Sequence, residues 1–152
     1  MSDFRFEHEM AKPVSKYLRH RGFRFQGEEV NFYEYRIDLY AFSRVEDSSI
    51  AVELKLMNWR RALTQSLIYQ LCADYVYAAL PKAAIGDTML QAFRDSGLGV
   101  IAVTKSRCIQ ILQPMPSLEV RSSYRGALVK HLTADRNAFR RPKVGDPARL
   151  PC

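Results

Sequence analysis

The chain has 152 residues, 47% of them hydrophobic and 26% charged, which is enough for one domain with its own core. It contains no apolar run of about eighteen residues, so no membrane span is expected, and the acid-bearing start MSDFRFEHEM lacks the apolar stretch of a secretory leader. The net charge of +7, with a pI near 9.5, suits a polyanionic partner, of which nucleic acid is the commonest in a cell.

The first periodic segment runs from about Glu7 to Arg21. Met10, Val14 and Leu18 recur every four residues and make one apolar helical stripe. Pro13 lies inside it, so the helix either starts near Lys12 or tolerates a kink; Gly22 suits its C-terminal stop. Phe23 to Phe25 reads as a short strand, and Glu28 and Glu29 as an exposed turn, with an added acid near a functional site as the alternative. Tyr35 to Phe42 alternates, with Ile37, Leu39 and Ala41 on one side and Arg36, Asp38 and Tyr40 on the other. Ile50 to Leu56 alternates again, and Glu46-Asp47-Ser48-Ser49 between them is turn chemistry, so the two segments form an antiparallel hairpin. Asn58 is a plausible N-cap for a helix reaching about Cys72. Tyr75 to Leu80, closed by Pro81, reads as a buried strand. Asp87 to Ser96 is helical and stops at Gly97. Gly99 to Thr104 and Cys108 to Leu112 pair as strands, and a last helix spans Ser122 to Leu132.

The resulting order, α-β-β-β-α-β-α-β-β-α, predicts an α/β fold: one mixed β-sheet flanked by helices. The domain is expected over residues 1–133. Residues 134–152 are read as a flexible basic tail, because the apolar pattern fades beyond Ala134. From Arg121 to Cys152 eight Lys or Arg face only two acids; solvation and contact with a polyanion are equal readings of that excess. Cys72, Cys108 and Cys152 have neither CxxC nor zinc-ligand spacing and are read as reduced thiols of a cytoplasmic protein. His8, His20 and His131 are isolated, and no nucleotide-binding glycine motif occurs.

One constellation carries chemistry. Glu53 and Lys55 are two apart on a strand and share a face. A hairpin loop at about Arg44 to Asp47 puts Asp38 beside Glu53 on the neighbouring strand. Two carboxylates and an ammonium group in one patch could hold a hard cation and orient a water at a phosphodiester. The same pattern also describes an ordinary solvent-facing hairpin.

The flanks add a resemblance. An acid on the first helix (Glu7-His8-Glu9-Met10), Arg36-Ile37-Asp38-Leu39, Ala51-Val52-Glu53-Leu54-Lys55-Leu56, Gln65 on the next helix and the strand Tyr75 to Pro81 occur in series. The stretch from Glu7 to Pro81, about half the chain, resembles the PD-(D/E)xK nuclease superfamily, whose restriction-endonuclease-like αβββαβ core has this order. It is similar to small uncharacterised bacterial members, and departs in having Ile37 where many members carry proline.

The resemblance implies a Mg²⁺-dependent nuclease, with Mn²⁺ as a possible substitute, acting on nucleic acid and most readily DNA. Asp38 and Glu53 would be metal ligands, Lys55 would position or activate water, and a first-helix acid would complete the site. Glu7 and Glu9 compete for that place; Glu7 shares the face of Val14 and is assigned, with Glu9 left as a surface acid. Gln65 would support the site or touch substrate. Arg60 and Arg61 could hold phosphate backbone or be simply solvated, while Trp59 and Tyr69 are read as packing residues. A homodimer fits the superfamily's habits. The alternative is a catalytically silent nuclease-like domain that binds nucleic acid or a protein partner.

Overall fold

The computed structural model describes residues 3–139, with side chains through residue 134. A 3₁₀ turn over Glu7–Met10 leads into α1 (Ala11–His20). The first three strands follow: β1 (Phe25–Phe32), β2 (Tyr35–Ser43) and β3 (Ser48–Leu54). Then come α2 (Trp59–Tyr69), β4 (Tyr75–Pro81), α3 (Asp87–Asp95), β5 (Gly99–Val103), β6 (Cys108–Leu112) and α4 (Ser122–Phe139). The six strands form one mixed sheet in chain order: β1/β2, β2/β3 and β5/β6 are antiparallel, while β3/β4 and β4/β5 are parallel. This is the expected α/β architecture, a sheet flanked by helices. Among the described residues no helix is long and apolar enough to cross a membrane.

The sheet has a core on each face. On one, Met10, Val14 and Leu18 of the first helical segment pack on Leu39, Ala41, Val52 and Leu54. On the other, Ala62 and Tyr69 of α2, Met89 and Phe93 of α3, and Leu128 and Leu132 of α4 pack on Tyr40, Ala51, Ala78 and Val100. The parallel strands β4 and β5 are buried almost throughout, as strands covered on both faces must be.

Local chemistry explains the boundaries. Pro13 falls in the first turn of α1, where its missing N–H would have had no helical partner, so it starts the helix without kinking it. Gly22, at φ 94°, takes the left-handed conformation that ends α1, and Gly97, at φ 74°, does the same after α3. Asn58 caps α2 with its side-chain oxygen, 3.4 Å from the backbone N–H of Arg61.

Helix α1 starts at Ala11, next to the start near Lys12 that Pro13 suggested, and the segment before it is a 3₁₀ turn. Three expectations need correcting. The first strand is β1, Phe25–Phe32, instead of Phe23 to Phe25, and it places Glu28 and Glu29 on a strand; their exposure is as expected. Ile37 packs on the α2 side, whereas Leu39 and Ala41 face α1, so strict alternation breaks at Asp38, across from the left-handed Glu29 (φ 52°). Helix α4 continues to Phe139, past Leu132, where the last helix was expected to end. The basic tail from 140 onward lies outside the described residues, as does Cys152.

Candidate functional site

Register decides what the hairpin brings together. Leu39 pairs with Val52, and the ladder runs without slip to Ser43 opposite Ser48. One step beyond Leu39 and Val52 stand Asp38 and Glu53, as the loop position at Arg44 to Asp47 requires. Their carboxyl groups share a hydrogen bond. The second oxygen system of Asp38 is also engaged, for Oδ2 accepts the backbone N–H of Leu54 at 2.8 Å.

Glu53 is 4% exposed. Its Oε1 lies 3.1 Å from the hydroxyl of Tyr69, which also faces the carbonyl of Arg36 at 3.2 Å. Burial, and then the charge of Asp38, push the Glu53 carboxyl up to about 8. Burial likewise raises Asp38, with the charge of Glu7 adding to it. Burial and mutual repulsion therefore both oppose ionising the two carboxyls at once. Lys55 makes no ion pair, yet its ammonium charge lowers both acids. Its backbone N–H continues the sheet by donating to the carbonyl of Ala79 at 3.0 Å.

Glu7 reaches this cluster from the 3₁₀ turn. Its Oε2 accepts the backbone N–H of Leu56 at 3.1 Å, tying the turn to the end of β3. Glu9 turns away: Oε1 accepts the N–H groups of Arg5 and Phe6 at 2.7 and 2.6 Å, which caps the 3₁₀ turn at the surface. Glu7 thus lies against the end of β3 and Glu9 at the surface, and both belong to a 3₁₀ turn instead of an α-helical face. Glu7, Asp38 and Leu54 line a cleft of about 640 Å³ with Phe6, His8 and the exposed Glu28 and Glu29.

Gln65 stands one turn before Tyr69 on α2, and its Oε1 is buried without a hydrogen-bond partner. A buried acceptor left open is costly, and its helical face is the one from which Tyr69 reaches Glu53. Arg60 and Arg61 at the start of α2 are exposed, with the Arg60 guanidinium 4.4 Å from the centre of the Trp59 ring. Trp59 packs against Phe93. Tyr69 was read as a packing residue, and it is fully buried, but its hydroxyl makes it a direct partner of Glu53. The signal available in the sequence was its position four residues after Gln65.

The three acids do not close into a cage. Among the described residues, no group of three or more His, Cys, Asp or Glu side chains is disposed to hold a metal ion. Glu7 and Asp38 each give an oxygen to a backbone N–H, and Asp38 and Glu53 face each other. The three acids are arranged as a carboxyl pair, Asp38 and Glu53, with Glu7 alongside.

No protein-family model and no curated protein matches the chain. Among solved structures, the SPO1766 protein of unknown function from Silicibacter pomeroyi is similar, with a TM-score of 0.68 and 18% sequence identity, covering 95% of this chain and 98% of that one. At that identity the likeness establishes a shared fold alone.

Proposed function

We propose that the chain is a metal-dependent nuclease of the PD-(D/E)xK type, hydrolysing phosphodiester bonds in DNA. The observation that carries this reading is the pairing of Asp38 with Glu53 across β2 and β3, with Lys55 beside them and Glu7 reaching in. The order α1-β1-β2-β3-α2-β4 is that of the superfamily core and supports it further.

The donor set suits Mg²⁺, with Mn²⁺ as substitute. Mg²⁺ is usually held by one or two carboxylates together with waters and substrate phosphate, and needs no cage of protein ligands. Asp38 and Glu53 supply that pair, and a cation between them would relieve the repulsion that raises both carboxyls. Bound there, the ion would lower the pKa of a water and offset charge developing on the phosphate. Glu7 holds the end of β3 in place and adds negative charge at the cleft. Lys55 orients the attacking water or pairs with the phosphate. Tyr69 fixes the Glu53 carboxyl, and the open Oε1 of Gln65 is a further acceptor on the same side. Arg60 and Arg61 are free to meet the phosphate backbone. The unpaired, buried Cys72 suits a reducing cytoplasm.

The test is cleavage of single-stranded, plasmid and linear duplex DNA by purified protein with Mg²⁺ or Mn²⁺. Asp38→Ala is expected to abolish it, and Lys55→Ala to slow it about 10²- to 10⁴-fold, with circular dichroism unchanged. Wild-type rates from Asp38→Ala would end the assignment. Asp38 and Glu7 each already give an oxygen to a backbone N–H, which favours a second reading, a catalytically silent domain that binds nucleic acid or a protein partner. Calorimetric titration separates the two, since the silent domain binds neither metal at millimolar concentration.

A further inference from the structure

The acid cleft does not end at Glu7. His8 and Ala11 line both it and a larger neighbouring cleft of about 970 Å³ along α1. That second cleft is basic: Lys12, Lys16, Arg19 and Arg24 border it, with Glu28 as the opposing acid. None of these four cations makes one of the ion pairs among the described residues. Lys12 and Lys16 also border a further cleft that includes Lys105 and Arg107. The outer face of α1 is therefore a cationic strip about 15 Å long, leading to the cleft lined by Glu7 and Asp38.

At the junction stand three exposed planar groups. The Phe6 ring is 53% exposed and stacks on His8, with centroids 5.6 Å apart and planes 11° from parallel. The Arg5 guanidinium lies 5.7 Å from the centre of the same ring. A large apolar ring left in water costs free energy. Aromatic rings and guanidinium planes are the surfaces on which unstacked nucleobases rest, and such a base is available in a single strand and hidden in a duplex.

We propose that this site takes a single-stranded nucleic acid, with its phosphates along Lys12, Lys16 and Arg24 and one base stacked on the Arg5–Phe6–His8 group at the mouth of the acid cleft. The inference rests on the nuclease reading for the reaction the strand undergoes, while its binding geometry stands separately. The flanking phosphate then enters beside Asp38, so the strip sets the strand's direction into the site.

Fluorescence anisotropy of the full chain in EDTA tests this, with labelled single-stranded DNA of about 15 nucleotides, RNA of the same sequence, and the corresponding blunt duplex. The single strands are expected to bind about 10-fold or more tighter than the duplex. Equal affinity for DNA and RNA, or a preference for either, supports the proposal and identifies the sugar accepted. Lys12→Ala/Lys16→Ala/Arg24→Ala should weaken binding and reduce the slope of log affinity against log salt by about 2. Phe6→Ala should weaken the single strand about 10-fold and leave the duplex unchanged, and Phe6→Trp should restore it. All four residues are exposed, so these variants should fold. Equal or tighter duplex binding, an unchanged salt slope, or indifference to Phe6→Ala would overturn the inference. Because metal is absent, those results leave the nuclease reading intact; its own failure would show as strands bound but uncut when Mg²⁺ is added.

Discussion

Glu53 is an acid kept where an acid is expensive, and replacing it with glutamine should expose that cost as a function of pH. Glu53→Gln keeps the size of the side chain and an oxygen to accept the Tyr69 hydroxyl, while removing the proton equilibrium. The native carboxyl titrates near 8, against 4.5 in the unfolded chain. Below pH 4.5 both states carry the proton and the group is silent. Between 4.5 and 8 the unfolded chain has released a proton that the native state retains, so stability falls as pH rises; above 8 the native state holds the buried charge and the whole penalty is present. At 1.36 kcal/mol per pH unit the ceiling is about 5 kcal/mol. Water entry and side-chain movement relieve part of it, so a difference of about 2 kcal/mol is expected. Urea denaturation at about pH 5, 7 and 9 measures it. The variant should match wild type at the acid end and exceed it at the alkaline end. Parallel profiles for the two proteins would refute the buried, coupled state of this carboxyl.

Tyr69→Phe removes the hydroxyl 3.1 Å from Glu53 and should cost about 1–2 kcal/mol of stability; because that hydrogen bond lowers the Glu53 carboxyl, the pH dependence of unfolding should shift upward. Gly99→Ala would set a Cβ 2.6 Å from the Tyr77 ring and 2.8 Å from Pro114, so a loss of about 1–3 kcal/mol is expected in the same denaturation assay. Arg125 joins α4 to the sheet through Asp74 at 2.8 Å and Asp47 at 3.0 Å. Arg125→Ala should cost about 1.5–3 kcal/mol and speed hydrogen exchange in α4 ahead of the central strands.

The hairpin was legible because period-two alternation and a turn-rich loop fix register together, and register alone sets Asp38 beside Glu53. Glu7 was legible through its spacing from Val14, but by a helix that does not form; the 3₁₀ turn reaches the same cleft by binding the N–H of Leu56. Strand β1 was obscured because FQGEEVNF carries few apolar residues, and only Val30 and Phe32 in it are buried. It is held by pairing with β2 and by α4 packing over Gly27, where an added Cβ would meet Leu132 at 2.8 Å. Neither of those tertiary facts is a local property of the segment. The break in alternation at Asp38 was hidden for the same reason. Tyr69 illustrates a different limit: burial was correctly expected of an aromatic on a helix face, but what its hydroxyl touches depends on a strand sixteen residues earlier.

The central claim is that Asp38 and Glu53 form one half of a divalent-metal site. A crystal structure of the protein soaked in Mn²⁺, with an anomalous difference map, tests it most directly. The account predicts a peak between the two carboxylates at about 2.0–2.3 Å from an oxygen of each, with Lys55 and Glu7 around it. Saturating Mn²⁺ that leaves the two carboxyls still hydrogen-bonded to each other, with no peak between them, would contradict it.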